Sequence, residues 1–314
     1  ARGSDWLVMA VMIGLAGWFG YRHFLKSTRG VIETVEESSY AIDAEGRARE
    51  PLADRLLSRW TGVFPDPLGV MIEKEIKYLW RSPRFRLPFF MGFTFGVFAW
   101  LPIMSQWSRP GTMEWMRQSS PALISLYAFL LLGPVMFLNR FGFDRATVKC
   151  YFWLPLGLKP LLVAKNLASA FFGAVEVLLI IAMCWLFGLV TEAFQVVEAW
   201  MVGVIALLYL SAIGNHMSVR FPIPSDPERI SRAGTGHGAR AFVQFLLFPI
   251  SLSPILAAFL ARYFLQSETA YFAILAVSTI AGVAIYFGSL GASARFGHRN
   301  REHMVICLSQ TEGP

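Results

Sequence analysis

Seven long apolar segments alternate with polar segments along the chain, and this pattern predicts an all-α membrane protein. Each apolar segment has 17 or more residues, which is enough for a helix to cross the bilayer and about twice what a barrel strand needs. The predicted spans are residues 6–22, 87–105, 120–138, 162–190, 196–215, 241–263 and 269–292. Composition agrees, because 55% of the 314 residues are hydrophobic and only 16% are charged, whereas soluble domains carry about a quarter charged residues.

The distribution of basic residues predicts how the spans are oriented. Residues 22–86, 139–165, 217–240 and 293–314 hold 24 of the 28 Lys and Arg residues. The alternate segments hold the other four, which are Arg2, Arg109, Arg117 and Arg262. Because basic loops stay in the cytoplasm, we expect the large loops and the C-terminus to be cytoplasmic. The net charge of +7 is thereby explained without a nucleic-acid partner.

The two ends of the chain lie outside the predicted core. Residues 1–23 form an N-terminal transmembrane helix in this interpretation, because the apolar run has no convincing signal-peptide cleavage motif. The chain begins at Ala1 rather than Met, so we expect further sequence upstream. Residues 24–66 are predicted to form a polar cytoplasmic linker, and residues 293–314 a cytoplasmic tail.

An amphipathic helix is predicted just before the span at residue 87. Asp66 can cap it, and Pro67 suits the first helical position. One helical face is apolar and the other is charged. The apolar face carries Leu68, Met71, Ile72, Ile76, Leu79 and Trp80; the charged face carries Glu73, Lys74, Lys77 and Arg81. We expect residues 67–82 to lie on the cytoplasmic membrane surface, although a helix packed on a soluble domain gives the same pattern.

A second amphipathic element follows the span that ends at residue 138. Asp144 can cap a short helix through about Trp153, and prolines at 155 and 160 end it. Arg145 and Lys149 lie one turn apart on one face. Tyr151, Phe152, Trp153 and Leu154 follow as aromatic and apolar surface. This surface fits either a docking partner or an aromatic belt at the membrane interface.

Glu176 is the exception that we identify in an otherwise apolar membrane core. An ionisable residue at mid-span costs a few kcal/mol and should face the protein interior. Two roles fit equally: contact with a transport pathway, or a hydrogen bond that packs two helices.

Motifs for chemistry are missing from the sequence. There is no His-Glu-x-x-His, Gly-x-Ser-x-Gly or paired aspartate in a span, and the five histidines and three cysteines lack metal-ligand spacing. The glycines near residue 235 lack the Gly-Lys-Ser/Thr of a phosphate-binding loop. We therefore expect no enzyme activity, no cofactor and no metal, with any ATP hydrolysis on another chain.

An ordered set of motifs resembles the membrane subunit of type-two ATP-binding-cassette exporters, the ABC-2 permease family. The resemblance covers about residues 67–292. Its motifs are Glu73-Lys-Glu75 with Arg81-Ser-Pro-Arg84, Asn139-Arg-Phe-Gly-Phe-Asp144-Arg145, Leu154-Pro155, Ala164-Lys165-Asn166-Leu167 and Gly214-Asn215-His-Met-Ser218-Val-Arg-Phe-Pro222.

This resemblance implies a fold, a partner and several site residues. A connecting helix at 67–86 precedes a six-helix core at 87–292, and the span at 6–22 is extra to the family pattern. A coupling helix at about 140–156 would sit in a groove of a separate ATPase subunit. The implied coupling residues are Asp144, Arg145, Lys149, Tyr151, Phe152 and Pro155; those of the connecting helix are Glu73, Glu75, Lys77 and Arg81.

The resemblance also implies an assembly and a location. Two permeases, identical or different, would form the transport path in the cytoplasmic membrane of a bacterial cell. An ion-coupled secondary transporter is the alternative, although it would need several ionisable residues inside the membrane. A non-transporting structural subunit of a larger complex also fits the sequence.

Overall fold

The computed structural model describes residues 61–106, 118–153, 157–225 and 238–309, together with residues 14, 18, 57–59 and 116. Of residues 101–106 and 238–245 it describes only the backbone. The chain divides into two units, residues 1–63 and 64–314, and the second unit contains all elements below. Apart from Gly14 and Trp18, the predicted N-terminal span lies outside the described residues, as does most of the predicted linker.

The second unit is helical wherever it has regular structure, and its described residues contain no strand. The helices are α1 (Leu68–Arg81), α2 (Pro83–Gln106), α3 (Ser120–Leu132), α4 (Val148–Trp153), α5 (Leu158–Leu186), α6 (Ala193–Arg220), α7 (Gly238–Leu265), α8 (Glu268–Arg299) and α9 (Arg301–Ser309). A π-helical turn at Gly133–Phe137 extends α3, and a 3₁₀ turn at Arg145–Thr147 leads into α4.

Five helices in the described part are long and apolar enough to cross a membrane. They are Ser120–Phe137, Leu158–Leu186, Ala193–Arg220, Leu246–Leu265 and Glu268–Arg299. Each corresponds to a predicted span, so a multi-pass membrane protein is supported by length and composition. The predicted span at 87–105 falls within α2 but is not among these five. A total of seven spans remains a prediction.

The helix boundaries have local causes. At the start of α6, the Glu192 and Gln195 side chains form a reciprocal capping box, which satisfies free backbone donors. The Ser267 hydroxyl accepts a bond from the Ala270 N–H at the start of α8. Pro134 lacks an N–H, so the regular hydrogen-bond pattern cannot continue there. The chain instead forms the π-helical turn, closed by the 3.0 Å bond from Leu138 N–H to Gly133 O.

Helix α1 occupies the segment in which an amphipathic helix is predicted. Ile72, Ile76 and Leu79 are buried, as their spacing on one face requires. The predicted cap is wrong, because Pro67 precedes the helix and no side chain caps it. Asp66 therefore stands outside the capping position. The location of α1 at a membrane surface remains a prediction.

Helix α6 lies at the centre of the bundle and packs against α3, α5, α7 and α8. Its closest approach to the π-helical turn is at Gly214. A Cβ atom at this position would come within 2.2 Å of the Phe137 carbonyl oxygen. Only glycine allows the two backbones to approach this closely.

The C-terminal residues are more ordered than a simple tail. Helix α8 continues to Arg299, and α9 then packs its buried Met304 and Leu308 against Phe141 and Val148. The end of the chain therefore supports the segment at 139–153. Only a tail was predicted at residues 293–314, because a nine-residue helix with two buried apolar residues has too weak a periodic signal.

Candidate functional site

The candidate coupling element is the segment of residues 139–153, which is fixed to the end of α6. The Asn139 amide donates hydrogen bonds to Ile223 O at 3.0 Å and to Ser225 Oγ at 2.8 Å. The backbone N–H of Arg140 donates to Ser218 Oγ at 3.0 Å. These bonds, with the π-helical turn before them, set the direction in which the segment leaves the bundle.

A group of charges, the four-charge cluster, joins this segment to two helices. Three of its members are buried, and the fourth, Lys74, has a side chain that is 46% exposed. Its members are Lys74 and Glu75 of α1, Asp144 of the segment, and Lys165 of α5. Lys165 Nζ lies 2.9 Å from Glu75 Oε2 and 2.7 Å from Asp144 Oδ2. Lys74 Nζ lies 2.8 Å from Glu75 Oε1 and 3.1 Å from Asp144 Oδ1. Each carboxylate thus has two ammonium partners, and the cluster is electrically neutral.

Tyr151 closes the cluster on the side of α4. Its hydroxyl donates to Asp144 Oδ1 at 2.8 Å and accepts a bond from Lys74. Burial by itself favours neutral Asp144, but Lys165 and Lys74 overcome it and hold the pKa of this carboxyl below its ordinary value. Burial, assisted by Asp144, raises the pKa of Tyr151 to about 12. At neutral pH the carboxylate is charged and the phenol keeps its proton.

Asp144 therefore has a different local role from the predicted one. It precedes the 3₁₀ turn at Arg145–Thr147, but its side chain makes no capping bond. The carboxylate instead points into the four-charge cluster and is 2% exposed. In this conformation Asp144 cannot touch a partner protein directly. It is a positioning residue that holds the segment to α5 and α1.

The exposed surface of the segment is formed by other predicted residues. Lys149 is exposed, and Trp153 is 81% exposed. Arg145 is half-buried and has a φ of +47°, a left-handed conformation that L-residues rarely adopt. Phe152 is partly buried against the core that contains Val148. The predicted site residue Pro155 lies outside the described residues.

The predicted residues of α1 divide between two environments. Glu75 is buried in the four-charge cluster. Glu73 and Lys77 form an i,i+4 ion pair of 2.7 Å that is about one-quarter to one-third exposed. Arg81 is exposed at the end of the helix. Glu75 is linked to Asp144 of the segment at 139–153 through the two lysines that both carboxylates share, Lys74 and Lys165.

A small cavity with both polar and apolar walls lies beside the cluster. It is bordered by Glu75, Asn139, Arg140, Lys165 and Ser169, and its volume of about 20 Å³ suffices for one water molecule. Arg140 donates to Ser169 Oγ at 3.2 Å and to Ser211 Oγ at 3.0 Å, while its Nε has no hydrogen-bond partner. Burial lowers the pKa of Arg140 to about 10, which leaves the guanidinium charged at neutral pH.

Glu176 lies in α5, three helical turns after Lys165. Its side chain is completely buried, and neither carboxyl oxygen has a well-aligned hydrogen-bond partner, although the backbone of Phe93 interacts with the carboxyl group. A Cβ atom on Gly92 of α2 would lie 2.2 Å from Glu176 Oε1. The carboxyl group thus occupies space that exists only because residue 92 is glycine.

Glu176 is not the only buried carboxyl among the spanning helices, and this corrects the sequence interpretation. Glu198 of α6 is also completely buried, and its Oε1 accepts three hydrogen bonds. The donors are Ser119 Oγ at 2.7 Å, Tyr271 Oη at 2.7 Å and Arg262 Nη1 at 3.2 Å. We call these four residues the Glu198 cluster. Glu268, which is 58% exposed, pairs with Arg262 at 2.7 Å.

The two clusters lie at opposite ends of the bundle. Helix α6 carries Glu198 near its start and Ser218, the partner of Arg140, near its end. Twenty helical residues span about 30 Å, which is the thickness of the hydrocarbon core. Glu198, Lys165 and Arg262 lie within the predicted spans. A charged residue in such a position indicates a buried polar cluster, and this signal could have identified all three from the sequence.

The described residues contain no group of three or more His, Cys, Asp and Glu side chains that could hold a metal. They offer instead two neutral charge clusters and one isolated carboxyl, which are suited to holding helices in a defined arrangement and to binding a charged group. No protein-family model matches the chain, and neither the curated proteins nor the solved structures contain a match.

Proposed function

We propose that the chain is the membrane-spanning permease subunit of an ATP-driven exporter of the ABC-2 type. The proposal rests on the resemblance of the motifs and on one observation above all. The four-charge cluster ties the segment at 139–153 to α5, a helix long enough to cross the membrane. A force applied to the segment from outside the bundle would therefore act directly on a spanning helix.

The mechanism follows from this connection. A separate ATPase subunit would bind the exposed side of the segment, at Lys149 and Trp153. Closure of the ATPase on ATP would move the segment, and the buried ion pairs would carry α5 and α1 with it. If the bound ATPase favours one of two packings of the bundle, its closure shifts the equilibrium between them. In a pair of permeases this shift would give alternating access. On this proposal the four-charge cluster lies on the cytoplasmic side and the Glu198 cluster on the outer side.

Co-purification in mild detergent tests the proposal. We expect a soluble subunit with a Walker motif to accompany the tagged chain from its native membrane, as identified by mass spectrometry. The double variant Lys149→Glu, Trp153→Ala should lose this subunit while remaining folded, because both side chains lie on the surface.

The matched control is Trp185→Ala, which removes a tryptophan that is 71% exposed near the end of α5 away from the segment. It should retain the subunit. If the unchanged chain purifies alone, or the double variant keeps the subunit in full, ATPase binding through this segment is excluded. A non-transporting structural subunit would then be the better account.

An ion-coupled secondary transporter is the second candidate. The completely buried Glu176 and Glu198 favour it, because ionisable residues inside a membrane often carry the coupling ion. Reconstituted vesicles separate the two functions. Transport that follows a proton or sodium gradient without nucleotide would favour the secondary transporter, whereas dependence on ATP and the soluble subunit would favour the exporter.

A further inference from the structure

The Glu176 carboxyl group occupies a closed site between three helices. It lies against Gly92 of α2, and a Cβ built on that glycine would also lie 3.0 Å from Ala128 Cβ of α3. The backbone of Phe93 interacts with the carboxyl group, but neither oxygen has a well-aligned hydrogen-bond partner. The group is therefore poorly satisfied in a place where burial of a polar group is costly. Such a residue points to a ligand that binds in another conformation of the bundle.

Aromatic rings are concentrated one helical turn from this carboxyl. The aromatic cluster consists of Trp80, Phe85, Phe89, Phe90, Phe93 and Phe172. Phe172, four residues before Glu176, is at its centre. Its ring centroid lies 4.6 Å from that of Phe85 and 6.2 Å from that of Trp80, on which it stacks at 7°. Rings from α1, α2 and α5 thus form one apolar surface beside the acid.

The chemistry of this surface selects among cations. A sodium, magnesium or calcium ion needs several oxygen ligands. The carboxyl contacts Gly92 and the backbone of Phe93, and the described residues contain no group of three or more His, Cys, Asp and Glu side chains that could hold a metal. An organic cation needs fewer polar contacts. One carboxylate neutralises its charge, while aromatic faces attract it and cover its apolar body.

We propose that Glu176 and the aromatic cluster form a binding site for a lipophilic organic cation, which is the cargo of the permease if the proposed function holds. The site is closed in this conformation, because Glu176 is completely buried. Leu87, Phe90 and Phe95 on α2 are 37–59% exposed and would face lipid, so separation of α2 from α5 would open a route from the bilayer. Because Gly92 has no side chain, the Glu176 carboxyl can lie at the contact between α2 and α5.

Direct binding to the purified chain in lipid nanodiscs tests this site without ATP or a partner. Tetraphenylphosphonium and tetraphenylborate have nearly the same size and shape but opposite charge. We expect saturable binding of the phosphonium to the unchanged protein. Glu176→Gln should weaken this binding by about tenfold or more, as loss of a desolvated charge interaction requires, and leave borate binding unchanged. Gly92→Ala should weaken phosphonium binding too, because the new Cβ displaces the carboxyl.

Glu302→Gln is the matched control. It makes the same chemical change at an exposed position in α9 and should bind the phosphonium like the unchanged protein. The proposal is overturned if Glu176→Gln binds the phosphonium with unchanged affinity, or if the unchanged protein shows no saturable binding.

A second measurement needs no substitution and covers the case in which Glu176→Gln does not fold. Dicyclohexylcarbodiimide modifies carboxyl groups in apolar surroundings, and mass spectrometry locates the adduct. Tetraphenylphosphonium should slow modification of Glu176, and tetraphenylborate should not; an unchanged rate contradicts the site. If an ATPase co-purifies but the phosphonium does not bind, the proposed exporter function stands and the cation site is excluded. If the phosphonium binds but no ATPase co-purifies, the cation site stands and the exporter function is excluded.

Discussion

The four-charge cluster and the Glu198 cluster solve the problem of buried charge in different ways. The first uses two carboxylates and two lysines, and it joins the short elements α1 and 139–153 to α5. The second uses one carboxylate, one arginine and two hydroxyls, and it joins α3, α6, α7 and α8 to one another. One cluster attaches a peripheral element to a spanning helix; the other fastens spanning helices together.

The difference predicts which end of the bundle tolerates change. In the four-charge cluster each charge has two partners of opposite sign, so loss of one member leaves one uncompensated unit charge in a largely buried place. In the Glu198 cluster part of the stabilisation comes from neutral hydroxyls, and Arg262 has a second partner in the exposed Glu268. The first cluster should therefore be the more sensitive to removal of a single side chain.

The largest effect is expected for Lys165→Met, which removes the buried one of the two cations shared by Glu75 and Asp144. Methionine fills similar volume, so the variant mainly tests the charge. Breaking a buried ion pair on one side costs about 3–5 kcal/mol. We expect a marked loss of thermal stability in detergent, measured as the temperature at which the monodisperse peak in gel filtration disappears.

Lys149→Met is the control, because Lys149 is exposed on the same side of the molecule. A surface substitution of this kind should change stability by no more than about 0.5 kcal/mol. Equal stability of the two variants would mean that the buried carboxylates Glu75 and Asp144 do not depend on Lys165, and the comparison between the two ends would fail.

A smaller effect is expected for Tyr271→Phe in the Glu198 cluster. The substitution removes one hydroxyl donor from a completely buried carboxylate, while Ser119 and Arg262 remain. Hydrogen bonds to charged groups contribute about 1.5–3 kcal/mol. The same thermal assay should show a loss clearly below that of Lys165→Met.

Tyr263→Phe makes the same change in a ring that is 54% exposed and should leave the melting temperature nearly unchanged. A loss for Tyr271→Phe that matches or exceeds the loss for Lys165→Met would reverse the order of the two clusters. The end of the bundle that carries Glu198 would then be the more tightly fastened one.

The helices were predictable because their signal is local. Runs of apolar residues identified the segments that become α3, α5, α6, α7 and α8, and the periodic pattern at 67–82 identified α1. The boundaries were less accurate. Helix α5 starts at Leu158 rather than 162, because the first turn of a spanning helix can lie in the polar layer, where hydropathy gives no sign of it.

The charged partners were not predictable, because they are distant in sequence. Glu75 and Lys165 are separated by 90 residues, and Ser119 and Arg262 by 143. Asp144 has the sequence context of a helix cap, and only the packing of α1 and α5 around it shows that its carboxylate turns inward. Arg262 was counted with the basic residues outside the spans for the same reason. The local sequence pattern shows that a charged residue lies on a helix, but it does not identify the residue with which the charge pairs.

The smallest effect is expected for the ion pair between Glu73 and Lys77, which shares α1 with the buried Glu75. Their 2.7 Å contact is as short as that between Lys165 and Asp144, but both side chains remain partly exposed to solvent, whereas Lys165 and Asp144 are only 4% and 2% exposed. Water and salt weaken such pairs, so i,i+4 contacts contribute about 0.3–0.5 kcal/mol. Lys77→Ala should therefore shift the melting temperature far less than Lys165→Met, and the small shift should shrink further in high salt. A large decrease in melting temperature that does not depend on salt would show that this face of α1 is covered by protein. Burial would then not explain why the ion pairs of Glu73 and Glu75 differ.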